Sequence, residues 1–182
     1  MLLNSKKVDI GVSAKDFELK NIDNEIYTLK NIKKRNGFVI AFICNHCPYV
    51  KDIITRLVDD FNFLLKKNVG VAAVMPNDYK VYPEDSFENM QKFSKNNNFS
   101  FPYLFDYKQE VAKNYEAICT PDFFCFNSKN RLFYRGRLDD VKFKANFIVR
   151  EKSIINAYEN MIEENSIVAK QVSSMGCSIK WR

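Results

Sequence analysis

The hydrophobic pattern changes period several times along this chain, and each change marks an element. Phe38-Val39-Ile40-Ala41-Phe42-Ile43 is a continuous apolar run of strand length, rich in β-branched and aromatic residues. Such a run predicts a strand buried on both faces of a parallel sheet. Further on, Ile54, Leu57, Val58, Phe61, Leu64 and Leu65 recur every three to four residues. That spacing predicts an amphipathic helix of about 15 residues, with Pro48 in its first turn. Asn68-Val69-Gly70 closes the helix, and Val69 to Met75 reads as the next buried strand. The unit is therefore β-α-β, which places the chain among α/β proteins.

Shorter patterns fill in the rest. Phe17–Lys20 and Glu25–Leu29 flank Asn21-Ile22-Asp23-Asn24 and predict a small hairpin. Residues 30–37 are polar and end in an Asn36-Gly37 turn signal. Phe87, Met90 and Phe93 mark a short helix between Glu84 and Lys95, and Asn96-Asn97-Asn98 stops it. Tyr103–Phe105 is a short strand and Glu110–Tyr115 a short helix. Phe123–Phe126 and Leu132–Arg135 predict a hairpin around Asn127-Ser128-Lys129-Asn130. Ile154, Ile155, Tyr158, Met161 and Ile162 give a last helix with one apolar face. The expected organisation is an irregular arm over 1–16, one domain over 17–164 and a tail over 165–182 that carries Cys177.

Composition narrows the function classes. With 182 residues the chain buries enough surface to fold without a disulfide or metal staple. Its net charge of +6 is spread over short runs such as Lys33-Lys34-Arg35, so no nucleic-acid partner is expected. No stretch approaches 18 apolar residues, so no membrane partner is expected. The first 20 residues lack the apolar core of a signal peptide, which makes the cytoplasm the expected location. Five cysteines, Cys44, Cys47, Cys119, Cys125 and Cys177, are an odd number in such a setting. They read as buried thiols, reactive thiols or ligands before they read as a disulfide framework.

The chemistry concentrates at Cys44-Asn45-His46-Cys47-Pro48, where the strand hands over to the helix. A thiolate there faces the first free amides of the helix and the positive end of its dipole. Both lower a thiol pKa. Cys47 suits the position before the first helical turn, and Cys44 is expected deeper at the strand end. The inner position of a helix-start redox pair falls on Val50, so Cys44-x-x-Cys47 is shifted back by three residues. Cys44, His46 and Cys47 also supply ligand types, but no second knuckle follows and His46 is the only histidine. Neither a metal nor a cofactor is expected. Cys125 reads as core. Cys177 lies among polar residues, where a mobile thiol is able to swing to Cys47 in cis or from a second subunit, so a homodimer is one arrangement to test. Asp139-Asp140 reads as a turn cap with an arginine partner.

Taken together, Phe38–Lys51, Cys119-Thr120-Pro121-Asp122-Phe123-Phe124, Tyr134–Asp140 and Gly176-Cys177-Ser178-Ile179-Lys180 resemble the thioredoxin-like superfamily. The likeness is to its AhpC/TSA-related, peroxiredoxin-like branch and spans about residues 10–164. It implies a thioredoxin-like fold, with a central mixed β-sheet flanked by helices, an N-terminal hairpin and a C-terminal tail. It implies that Cys47 is the attacking thiol and Pro121 a cis-proline facing it. Thr120 would then offer backbone groups to a bound thiol substrate. Cys44, Cys119 and Cys177 are the candidate resolving thiols, and Arg137 (or Arg135) the candidate for polarising a peroxide. Two positions depart from the peroxiredoxin pattern: Cys44 stands where a threonine or serine is usual, and Ile40 where a proline is. The expected function is a thiol-dependent oxidoreductase acting on a peroxide or a protein disulfide and recycled by a thiol reductant, either a protein or a small thiol. The alternatives are a non-catalytic binding or scaffold protein of the same fold and a thiolate metal-binding protein.

Overall fold

A computed structural model describes residues 1–6, 9–164 and 170–182. Its main sheet has seven strands in the order β3-β2-β6-β5-β4-β8-β9. These are β2 (Glu18–Asn21), β3 (Ile26–Thr28), β4 (Phe38–Phe42), β5 (Gly70–Met75), β6 (Tyr103–Phe105), β8 (Asp122–Phe126) and β9 (Leu132–Gly136). The three central strands β4, β5 and β6 run parallel, and antiparallel strands extend the sheet at both sides. The fold is thus α/β and thioredoxin-like, with a mixed sheet and not the purely parallel one that the apolar run at 38–43 suggests alone. Every residue of β4 and β5 is buried, as their lack of alternation requires.

Two apolar layers cover the sheet. One face carries α2 (Pro48–Lys66), α3 (Phe87–Asn96) and α5 (Ser153–Glu164), through residues such as Leu57, Phe61, Met90 and Tyr158. The opposite face carries α1 (Leu29–Ile32) and α4 (Glu110–Asn114), through Leu29, Ile32, Val111 and Ala112. Alternate residues of β4 divide between the layers: Val39 and Ala41 enter one, Phe38, Ile40 and Phe42 the other. Tyr158 ties α5 to the sheet, donating its hydroxyl to the Phe38 carbonyl at 2.6 Å.

Two stretches differ from the sequence reading. Helix α1 forms within a segment read as polar loop, because Thr28 and Asn31 make a reciprocal capping box over the buried Leu29 and Ile32. The terminal stretches are paired, not irregular. Strand β1 (Leu2–Asn4) runs antiparallel to β10 (Met175–Ser178), and β10 runs antiparallel to β7 (Cys119–Thr120). This three-stranded sheet draws on 2 to 4 residues per strand, too few for periodicity to register. The partners in β1 and β10 are more than 170 residues apart in sequence, and those in β7 and β10 more than 55. The part of the expected tail at 165–169 lies outside the described residues. None of the helices among the described residues is long and apolar enough to cross a membrane.

Candidate functional site

Strand β4 ends at Phe42, and the chain turns through Cys44-Asn45-His46 into α2. Cys47 is the N-cap residue and Pro48 the first helical residue, as the pattern predicts. The Cys47 carbonyl accepts the first intrahelical bond, from Lys51 N at 3.0 Å. The Lys51 side chain itself is exposed. Facing the loop, the Thr120–Pro121 peptide bond is cis, also as expected. Cys44 Sγ lies 3.3 Å from Thr120 Oγ1, and Cys47 Sγ lies 3.3 Å from the Thr120 carbonyl oxygen.

Strand β10 completes the ring around Cys47. Cys177 stands opposite Thr120 in the β10–β7 ladder. Gly176 permits that approach: a Cβ there would lie 2.0 Å from the Thr120 carbonyl oxygen and 3.0 Å from Pro121 Cδ. Cys177 is therefore held on a strand, not on the swinging tail expected from its polar neighbours. It is half-buried, whereas Cys44 and Cys47 have no solvent-exposed surface.

The electrostatics separate the thiols. Cys47 is lowered from the usual 9.0 to about 5. The Cys44 thiol, donating to its sulfur, contributes most, followed by the Cys177 thiol and the Cys177 and Val50 amides; burial opposes them all. The Thr120 carbonyl suits only the protonated thiol, so these donors outweigh it. Cys44 is pushed well above its ordinary value by burial, and by donating to Cys47. Cys177 is pushed up to about 11 by burial and then by its neighbour's negative charge. The balance of these influences favours ionisation at Cys47 and the protonated form at Cys44 and Cys177.

Other predicted residues fall outside this ring. Cys119 is buried, its Sγ 4.0 Å from the Pro121 carbonyl oxygen, and burial raises its pKa strongly. Cys125 lies in β8 with no exposed surface, in the core as expected. Arg137 donates its Nε to Ser153 Oγ at 3.3 Å and lies 3.8 Å from Glu151. With Pro121, Tyr49 and Met175 it lines a cavity of about 510 Å³ beside the cysteine ring. Arg135 is committed to Asp122 at 2.8 Å and to the Glu116 carbonyl at 2.9 Å. Asp139 accepts from Val141 N and pairs with Arg56 and Arg150, the expected turn cap with arginine partners.

One residue of the site had no signal in the sequence. Asp85, in a short 3-10 turn at Pro83–Asp85, is fully buried and accepts from His46 Nδ1 at 2.6 Å. That bond is the main reason His46 is raised above 6.5; the negative charge near Cys47 adds to it, and burial and Lys180 oppose it. Among the described residues, Cys44, His46 and Asp85 bring ligand-type atoms within 4.8 Å of one another. Both carboxylate oxygens already accept N–H bonds, from the Asn45 and His46 amides on one side and from His46 and Asn77 side chains on the other. The group works as a hydrogen-bonded clasp.

Residues 10–158 match the AhpC/TSA family as a whole. The chain belongs to that family. Two solved structures are similar over nearly all of it. An uncharacterised conserved protein from Geobacillus kaustophilus is 41% identical, with a TM-score of 0.95 over 100% of this chain and 97% of that one. A hypothetical protein from Sinorhizobium meliloti is 33% identical, with a TM-score of 0.93 over 98% of each chain. A peroxidoxin from Mycobacterium tuberculosis shares the fold, with a TM-score of 0.58 at 14% identity over 70% of this chain and 84% of its own. No curated protein matches. Membership of this family, and its likeness to thioredoxin-like proteins, ties the chain to thiol redox folds in general.

Proposed function

We propose that this AhpC/TSA-family protein is a thiol-dependent oxidoreductase in which Cys47 is the nucleophile and Cys177 the resolving thiol. The observation that carries the reading is the placement of Cys47 at the start of α2, its sulfur 3.3 Å from the Thr120 carbonyl oxygen and Cys177 opposite Thr120 in the β7–β10 ladder, an arrangement that lowers Cys47 to about 5 and raises Cys44 and Cys177. At neutral pH a thiol of that acidity is almost wholly ionised, and the thiolate is the reacting form.

The chemistry has two entries. With a hydroperoxide, the Cys47 thiolate attacks one oxygen, the O–O bond breaks, and the leaving alkoxide or hydroxide takes a proton. Cys47 is then a sulfenic acid. With a disulfide, the thiolate attacks one sulfur, the S–S bond breaks, and a substrate thiolate leaves. Either product is resolved alike. Cys177 attacks the Cys47 sulfur, its proton leaves with water or with the substrate thiol, and a Cys47–Cys177 disulfide forms. An external thiol, on a protein or a small molecule, returns the two electrons. Cys177 is favoured over Cys119 because its thiol and amide both donate to Cys47. It is favoured over Cys44 because it is partly exposed, whereas Cys44 is sealed.

The test is disulfide mapping by mass spectrometry after stoichiometric hydrogen peroxide on the fully reduced protein. Cys47 is expected to oxidise first and to end bonded to Cys177. A Cys44–Cys47 bond would move the resolving role to Cys44. A Cys47 that stays reduced while the other thiols react at random would replace this reading with a binding scaffold.

A further inference from the structure

Asp85 reaches further than the imidazole it binds. It has no exposed surface. Burying a carboxylate is unfavourable unless its lone pairs are met. Here Oδ1 accepts from Asn45 N at 2.8 Å and His46 N at 3.3 Å. Oδ2 accepts from His46 Nδ1 at 2.6 Å and Asn77 Nδ2 at 2.8 Å. Four N–H groups from two separate segments converge on one side chain, a demand that a neutral amide with a single acceptor oxygen does not meet.

The second arm runs to the C-terminus. Asn77 Oδ1 accepts from Lys180 N at 2.9 Å. The Lys180 carbonyl accepts from Asp78 N at 2.8 Å and Gln109 Nε2 at 2.7 Å. Lys180 is three residues beyond Cys177 and two beyond the end of β10. The same carboxylate thus sits one bond from the Cys44–Cys47 loop and two bonds from Lys180, just beyond the strand that carries Cys177.

We propose that Asp85 is a positioning residue for the Cys47 chemistry: its buried carboxylate holds the loop carrying Cys44 and Cys47 and, through Asn77, fixes the C-terminal segment that carries Cys177. The proposal rests on the redox reading above only for what the positioning serves. Its electrostatic side follows from the same geometry. The groups facing His46 are Asp85, the stacked Tyr82 ring at 5.1 Å, Lys180 from the C-terminal segment, and Cys47. Those facing Asp85 besides His46 are Asn77, Cys44 and Tyr103. Within that set Asp85, hydrogen-bonded to the ring, is the main anion that favours a cationic imidazole, and Cys47 adds to it. A cation beside Cys47 favours the thiolate.

His46 is the only histidine in the chain, so its titration is read by proton NMR without assignment. In the wild type it titrates above its ordinary value. In Asp85→Asn its midpoint falls toward that value, and alkylation of Cys47 by iodoacetamide at pH 6 slows about twofold, because one pKa unit added to about 5 leaves half of the thiol ionised at that pH. Asp85→Glu restores the charge and recovers part of both. In Asn77→Ala only the second arm is cut. Cys177 alkylation rises about tenfold, the factor for one pKa unit or its equivalent in opening free energy, while the Cys47 profile moves less than in Asp85→Asn. An Asp85→Asn protein with the wild-type His46 titration and the wild-type Cys47 profile overturns the proposal. Should that variant fail to fold, a wild-type His46 titrating at or below 6.5 overturns it, and so does an Asn77→Ala protein whose Cys177 reacts no faster. If Cys47 forms no disulfide in the wild type, the redox reading fails while these titrations still judge the clasp.

Discussion

Cys47 and Cys125 are equally sealed from water, both in the same apolar layer, and their acidities move in opposite directions. Burial alone acts on Cys125 and raises it well above the ordinary thiol value. Burial raises Cys47 too, yet the donors aimed at its sulfur bring it to about 5. The difference lies in which groups face each sulfur. Cys125 is mid-strand in β8, and its neighbours' amides are spent on the ladders with β4 and β9. Cys47 has the Cys44 thiol beside its sulfur as the largest lowering influence, then Cys177, and it sits at a helix start, where amides such as Val50 N have no carbonyl partner within the helix and add a smaller share. Burial makes a thiol inert or reactive according to which groups share the interior with it.

The sharpest way to break the comparison is to exchange the roles by mutation. Cys47→Ser removes the ionisable sulfur and is expected to lower peroxide- or disulfide-driven oxidation of the chain by about a thousandfold or more, as loss of a nucleophile does. Cys125→Ala leaves that rate within about twofold and costs about 1–2 kcal/mol of stability, the price of a small cavity in a packed strand. Stopped-flow oxidation of the reduced proteins reads the first, and denaturant unfolding the second. A Cys125→Ala protein that loses oxidation as Cys47→Ser does would end the distinction.

A pH series sharpens the same contrast. Alkylation of Cys47 should rise through a midpoint near about 5 and level off by neutrality, while Cys125 stays unreactive until the protein unfolds. The linked effect on stability has a definite sign. Cys47 has a folded-state pKa near about 5 against an ordinary 9.0, so its contribution is complete above 9.0 and is lost as pH falls through about 5. Wild-type stability should therefore rise from pH 5 to pH 8 relative to Cys47→Ala, by no more than about 1.4 kcal/mol per pH unit. Cys177, raised to about 11, acts oppositely above pH 9, so the comparison belongs below that pH.

The contrast between these cysteines was only half visible in the sequence. The β4–α2 junction is legible because its signals are local: an apolar run, a proline, then a helical period. Cys125 is legible as core for the same reason, since it stands inside Phe123–Phe126. Cys177 is not, because β10 is held by β1 and β7 from distant parts of the chain, and its four residues carry no period. Asp85 is not, because an acid in a Pro-Glu-Asp turn is an ordinary surface pattern until folding buries it under His46 and Asn45. Local chemistry is written in short windows, whereas the groups that tune it arrive through tertiary pairing.

Cys119 gives the finest test of this account, because it has proximity without donors. It pairs with Ser178 in the β7–β10 ladder, one position from the Thr120–Cys177 pair. Its charge coupling to Cys47 and Cys177 is unfavourable to ionisation, and Asp122 adds to the burial that raises it. Its sulfur is directed toward the Pro121 carbonyl at 4.0 Å, an acceptor that suits only a protonated thiol. Cys119→Ala is therefore expected to change the oxidation rate of Cys47 by less than about twofold and the product disulfide not at all. Its cost is a small loss of packing, about 1 kcal/mol. Peptide mapping of oxidised Cys119→Ala reads the outcome directly. Loss of the Cys47 disulfide there would make Cys119 the resolving thiol, and nearness within the ladder, not donors aimed at sulfur, would be what selects a reactive cysteine in this fold.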